Sequence, residues 1–574
     1  MKTFQRIWLK HKFFLLLLLP WLVLFVYLFA NAIQYLDTGI YAAYEHLWSD
    51  WAFHTGMINI FAYKSPETWF AYHPLFADGK FTYGFLTNLI SGLLVRVGLP
   101  LNLAVGVPSI LFVTTFMVAA YFLVYKYTKS RAMGVTVLYL FFLGSGLGFI
   151  NYLSSLLGPI PTGTAATAAV TDGLTPLIYF TRNDPFQWYS GNSIVGLLVP
   201  QRAFLLGITL GVTSLLFQKL ALDNYKIVKS SRRNFKWETI RRNLRENKKS
   251  FLFAVIGGLL AGILPVSHAH TLIVLAVVGA ALLFFNYRAW PTLLVYAFVT
   301  TLVAAPLYLH FVAGGIVNPK FTQVIIGWTA INADQWLRLW ARNWGLVLPL
   351  VAAGIYLLVK AKQIKAALFA TTGIIIFAVA NIIMFQPIPW DNSKIFTWAY
   401  FLLMLPVAYV LRWAFAGRRF ALLTFLTVML VFTGVLDLWN LLRNYEYPLQ
   451  MVNIDDVKAN EYLRDNTPET ARFLTAPNHN HPVMMIVARP ILIGFTPWVM
   501  NFGFDYRATE LRLKPMFENP GQNLELFCQE RVSYIYISAR ETREFKVDQS
   551  FFESNFPKIY NDRGITVYKN TLGC

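Results

Sequence analysis

Several stretches of this chain run for seventeen or more residues with almost no charge, and nothing constrains its fold more. Water cannot satisfy a backbone inside a bilayer, so such runs fold as helices of about twenty residues that close their own hydrogen bonds. The rest of the composition agrees: of 574 residues, 56% are hydrophobic and only 14% charged. A soluble protein of this size carries roughly 25% charge. The expected class is a polytopic α-helical membrane protein.

Basic loops set the topology, because Lys and Arg gather on the cytoplasmic side of spans. The N-terminal run after Lys12 has a basic start but no small-residue cleavage motif close behind it, and it is expected to be retained as an anchor. Basic clusters follow at "KYTKSR" (126–131), between Lys219 and Lys249, at "KAKQIK" (360–365) and at "GRR" (417–419). The second of these holds eleven Lys or Arg against three acids. Placing all of them inside predicts spans at 13–33, 103–125, 132–156, 194–217, 251–267, 270–286, 291–312, 344–360, 366–385, 395–411 and 420–438. The stretch Tyr83–Leu99 is read as re-entrant or interfacial, and counting it raises eleven crossings toward thirteen. The N-terminus is then cytoplasmic and the C-terminus extracytoplasmic, as expected of a multi-pass plasma-membrane protein. The net charge of +20 is explained by those loops and implies no nucleic-acid partner. Two cysteines, Cys528 and Cys574, leave room for one disulfide and exclude a Cys-rich metal site.

Two domains are expected. Residues 1–440 form the multi-span domain, with a large outer loop at 35–100. Residues 441–574 alternate charged helical stretches with β-branched runs such as "RVSYIYIS" and "ITVYK", which suggests a soluble extracytoplasmic α/β domain. No internal repeat is visible.

Of nine histidines, all but His11 fall on or near the outer face under this topology. The first outer loop carries "SDWAFH", where Asp50 and His54 are four apart and share a helix face, and then "YHPLFADGKFTYG" with His73. Asp50 or Ser49 would also serve as a helix N-cap. "YFTRNDPFQWYSGNS" supplies Arg182 and Asp184. Arg202 stands several residues inside a predicted span, where a guanidinium costs about 2.5 kcal/mol or more. "SHAH" places His268 and His270 at a hairpin turn with no Cys or Asp beside them to complete a metal site. "PWDNSK" brings Trp390, Asp391 and Lys394 to the outer end of another span. Together these suit a lipid-linked sugar donor: Asp50 as base, Arg202 and Lys394 as a phosphate clamp, and Trp51, Trp188, Tyr189 and Trp390 as stacking surfaces for sugar rings. Nucleotide phosphate loops and the GxSxG elbow of serine hydrolases are missing.

With an anchor span followed at once by an acid-bearing outer loop, "HPLFADGKFTYGFL", and "ARPILIGFTPWVMNFGFDYRATE" in a terminal α/β domain, the chain resembles the GT-C class of polyprenyl-phosphate-sugar-dependent membrane glycosyltransferases. Within that class it is similar to bacterial proteins grouped near the lipopolysaccharide-core glycosyltransferase-like domain. The resemblance implies sugar transfer at the outer face from a polyprenyl-phosphate sugar to a glycan, lipid or protein acceptor. It also implies that Asp50 is the catalytic base. The Asp-Glu pair of many members is missing here, since Trp51 follows Asp50, so His54 is the expected partner of Asp50 and a divalent metal (Mg or Mn) stays open. The remaining site residues, His73, Arg182, Asp184, Arg202, His268, His270, Trp390, Asp391 and Lys394, are expected to bind substrate. The alternative is a transporter or flippase of a lipid-linked or polar solute. A third reading, an assembly scaffold, leaves Arg202 and Lys394 unexplained.

Overall fold

The computed structural model describes residues 2–150, 153, 179–227, 237–316 and 318–573, with only the helical backbone given for residues 2–8 and 237–240. The far end of the span expected at 132–156, the middle of the Lys219–Lys249 basic stretch and Cys574 lie outside the described residues.

The chain is a polytopic helical membrane protein, and the long apolar runs are its helices. Among the described residues six helices are long and apolar enough to cross a membrane, and two bent pairs bring the number to eight. This is fewer than the eleven to thirteen expected. The first bent pair is α1 (Lys2–Leu16) and α2 (Leu19–Ala30), which turn by 54° just before Pro20. Then come α3 (Glu45–Tyr63), α4 (Leu86–Arg96), α5 (Leu101–Thr128) and α6 (Arg131–Leu143). Next are α7 (Arg202–Asn224), α8 (Lys248–Gly262), α9 (Leu264–Ser267), α10 (Ala269–Phe285) and α11 (Trp290–Phe311). The second pair, α12 (Ala333–Trp344) and α13 (Val347–Lys360), bends by 75° at Gly345, whose φ of +56° a side chain would resist. Last are α14 (Ile364–Ala380), α15 (Ser393–Ala416) and α16 (Phe420–Asn444).

The other three expected spans are helical but short. α6 has 13 residues and α10 and α14 have 17 each. In α6 the reason is visible: "GSGLG" follows Leu143, and the helix stops at Gly144. The Tyr83–Leu99 stretch holds α4, whose eleven residues reach only about 16 Å and pack against α3 and α5.

Helix α3 positions the site. It begins at Glu45 after an extended Tyr44, so neither Ser49 nor Asp50 caps it; Glu45 sits at its positive end instead. Most of its later residues are buried beneath α4 and the turn Val483–Val487. There Asn59 Nδ2 donates to Met485 O at 2.9 Å.

The loop before α3 and the C-terminal region are stitched into one sheet. β1 (Ile33–Leu36) and β2 (Gly39–Ala42) form a hairpin, and β3 (Leu449–Asn453) adds to it antiparallel, with Gly39 opposite Asn453 and Ala42 opposite Leu449. Beyond it the mixed α/β region carries a four-stranded sheet of order β4-β5-β7-β6. Its strands are β4 (Arg472–Leu474), β5 (Val532–Ile537), β6 (Lys558–Asp562) and β7 (Ile565–Lys569). β4 and β5 are parallel, and the other pairs antiparallel. A buried pair pins this region: His481 Nε2 lies 2.9 Å from Glu541 Oε1, and Glu541 also accepts from Ser538 Oγ at 2.6 Å.

Candidate functional site

A cavity of about 650 Å³ opens where α3 meets the ends of four other segments. α3 contributes Asp50 and His54, the linker before α7 contributes Gln201, and the α9–α10 break contributes His268 and His270. The start of α15 adds Asp391 and Lys394, and Phe495, Trp498, Asn501 and Phe502 of the C-terminal region cover one side.

The linker is fixed against α3 before it reaches the site. Trp51 Nε1 donates to Pro200 O and Tyr44 Oη to Val195 O, both at 2.8 Å. Gln201 then donates its side-chain amide to Asp50 Oδ2. Burial pushes the Asp50 carboxyl up to about 7; the nearby Lys394 opposes this, Asp391 reinforces it, and the Gln201 hydrogen bond opposes it. A carboxyl poised there can take a proton near neutral pH.

His54 is not the partner of Asp50. Its Nδ1 faces Asn88 Nδ2 at 3.2 Å, which makes Nδ1 the acceptor. Burial, with Arg202 and Lys394 nearby, pushes its imidazole down to about 3, so it stands neutral in the wall.

The cavity also holds a cation and two imidazoles. His268 interrupts the helix in an extended conformation, and its Nδ1 lies 2.9 Å from Thr271 Oγ1. Thr271 Oγ1 already accepts from Trp398 Nε1 at 3.0 Å, so its own proton is free for Nδ1. The neutral ring then carries its N–H at Nε2, which has no hydrogen-bond partner among the described residues. The site is this tight because residue 207 is glycine: a Cβ there would come within 2.5 Å of His268 Cβ. His270 stands beside it, with ring centroids 5.3 Å apart. Lys394 is ion-paired to Asp391, whose other oxygen accepts from Asn501 Nδ2 at 2.8 Å.

Other expected site residues fall elsewhere. Arg202 is the first residue of α7 rather than a position inside a span, because Pro200 and Gln201 end the preceding helical turn. Its side chain is 0% exposed and sealed behind the wall. Nη2 donates to Ser91 Oγ at 2.7 Å and Nε to Ser109 Oγ at 3.1 Å, and no acid among the described residues pairs with it. It does not line the cavity, so it cannot clamp a phosphate there. His73 is fully buried among Phe53, Phe502 and Phe504, and burial pushes its imidazole down to about 3. Arg182 reaches the rim but is held by Glu45 at 3.1 Å and by Asp184 at 2.7 Å; Asp184 itself does not line the cavity. Of the expected stacking surfaces, Trp51 and Trp188 are buried in packing, whereas Tyr189 and Trp390 line the cavity.

Glu45, Tyr83, Gln201, Trp498 and Asn501 also line the cavity and were not expected. The Pro-Gln-Arg interruption of an apolar run was the available signal for Gln201. Trp498 and Asn501 lie in the "TPWVMNFGF" stretch, far from the first loop in sequence. Among the described residues no group of three or more His, Cys, Asp or Glu side chains is placed to hold a metal ion. This donor set does not fit a divalent cation.

No family model matches this chain, and neither does any curated protein. Among solved structures it is similar to the archaeal oligosaccharyltransferase AglB from Archaeoglobus fulgidus, determined in complex with an inhibitory peptide and a dolichol-phosphate. The superposition has a TM-score of 0.50 at 13% identity and covers 98% of this chain and 75% of that one. The likeness extends over nearly the whole chain and shows a shared GT-C fold.

Proposed function

We propose that this protein transfers a sugar from a polyprenyl-phosphate donor to an acceptor hydroxyl or amide, on the membrane face that bears the C-terminal region. The observation that carries the proposal is the make-up of the cavity: Asp50, whose carboxyl burial pushes up to about 7, lines it together with Lys394, His268 and His270. The matched AglB structure contains a dolichol-phosphate, which is the donor chemistry proposed here. The basic loops of the sequence support an extracytoplasmic side for the cavity.

In the proposed reaction the acceptor oxygen or nitrogen attacks the anomeric carbon as Asp50 takes its proton. The bond between that carbon and the phosphate oxygen breaks, and the electron pair leaves with the polyprenyl phosphate. Lys394 and the His268 and His270 N–H groups hold the developing phosphate charge, which is worth most where water is excluded. Because Asp391 already neutralises Lys394, the phosphate must compete with that pair, which favours binding of a doubly charged leaving group over a weaker anion. Tyr189 and Trp390 offer ring faces to the sugar.

The test is reconstitution of the purified protein in vesicles with labelled polyprenyl-phosphate sugars and a panel of glycan, lipid and peptide acceptors. Transfer of label with release of free polyprenyl phosphate is the expected result. Movement of intact donor between leaflets without cleavage would replace this reading with a flippase.

A further inference from the structure

Gln201 carries no charge and cannot act as an acid or base, yet the chain goes to some length to fix it in place. Three separate tethers converge on the residues around it. Tyr44 holds Val195, Trp51 holds Pro200, and Arg202, next in the chain, is pinned between Ser91 of α4 and Ser109 of α5. The helical turn Ile194–Leu198 breaks at this point, and α7 restarts one residue after Gln201. The geometry points to Gln201 as the positioning residue of Asp50, its amide fixing Oδ2 so that Oδ1 is left to face the acceptor. This inference rests on the reading of Asp50 as base.

No other side chain among the described residues hydrogen-bonds that carboxylate. The other charged and titratable groups around it are Lys394 and Asp391 from the start of α15, Tyr83 from the loop before α4, Tyr44 at the head of α3, and His268 and His270 of the α9–α10 break in the same cavity. His54, on the same helix, is taken up by Asn88. Removing the amide leaves all of these in place, so its contribution can be read alone. A hydrogen bond to the charged form of a carboxyl favours that form, and losing it makes the proton harder to remove.

The experiment uses Gln201→Met, which keeps the length but cannot donate, and Gln201→Ala, which removes the reach. A hydrophobic carbodiimide reacts with protonated carboxyls, so labelling of the Asp50 peptide against pH, read by mass spectrometry, reports its titration without depending on turnover. The expected midpoint lies near 7 in the native protein and about 1 pH unit higher in both variants. The acid limb of the transfer rate is expected to move with it, while the donor KM stays unchanged because Gln201 touches none of the phosphate-side groups. Labelling midpoints and pH–rate profiles that superimpose on the native protein would overturn the inference. Full transfer by Asp50→Asn would instead defeat the base reading, and the labelling midpoint would still decide the role of Gln201.

Discussion

Two cations of this molecule look alike in the sequence and live in opposite surroundings. Lys394 lies in the cavity wall, partly open, balanced by Asp391 and held in place through Asn501. Arg202 lies one layer behind that wall, fully buried, with two serine hydroxyls and no carboxylate. A buried ammonium or guanidinium is expensive unless something offsets its lost hydration. At Lys394 the offset is an acid beside the cavity, which a substrate anion would displace under the proposed function. At Arg202 it is a set of neutral dipoles from α4 and α5 that tie those helices to the start of α7. Under the proposed function the difference separates a binding group from a brace, and net cost alone would not have told them apart.

The sharpest way to break this comparison is Arg202→Ala. Ser91 and Ser109 lose their partner and a guanidinium-sized void opens, so a loss of about 2–5 kcal/mol is expected, seen as a lower melting temperature and poor yield in detergent. A protein that folds normally but has lost donor affinity would restore Arg202 as the phosphate clamp that the sequence suggested. Lys394→Ala should behave in the opposite way, with normal yield and a donor KM raised about 10- to 100-fold, measured in the transfer assay.

The pH profile sharpens the cavity side of the comparison. A base must be unprotonated to act, and the Asp50 carboxyl is pushed up to about 7 mainly by burial. Transfer is therefore expected to rise with pH up to about 7 and then level off, falling roughly tenfold per pH unit on the acid side. An acid limb centred near 4 would mean that Asp50 is solvated during turnover. The smallest effect belongs to the rim. Glu45→Gln removes a half-exposed partner of Arg182 and should change the donor KM by less than about threefold.

The fold class was legible because apolar runs have few ways to satisfy their backbones, and the helices fall where those runs are. The number of crossings was less so: α6, α10 and α14 start or stop at breaks that a hydropathy average passes over, as at Gly144. Within the site, Asp50, His268, His270, Asp391 and Lys394 were legible because each is a polar interruption at the same end of an apolar segment. Arg202 was misread because Pro200 and Gln201 interrupt the apolar run, so that a new helix starts at Arg202 and its side chain packs between α4 and α5 instead of lining the cavity. Trp51 was misread as a sugar platform, although its indole N–H serves Pro200. Gln201 and Asn501 were missed because a neutral amide gives no sign of its partner, and here each partner lies more than a hundred residues away.

The proposed reaction depends on Asp50 as the group that accepts the proton in sugar transfer. The direct measurement compares Asp50→Asn with the native protein in the same vesicles, following both donor binding and label transfer. The asparagine keeps the shape and a contact for Gln201 but cannot take the proton. Binding within about twofold of native with transfer reduced about 100- to 10,000-fold is the predicted result. Transfer at the native rate with normal binding would contradict the account.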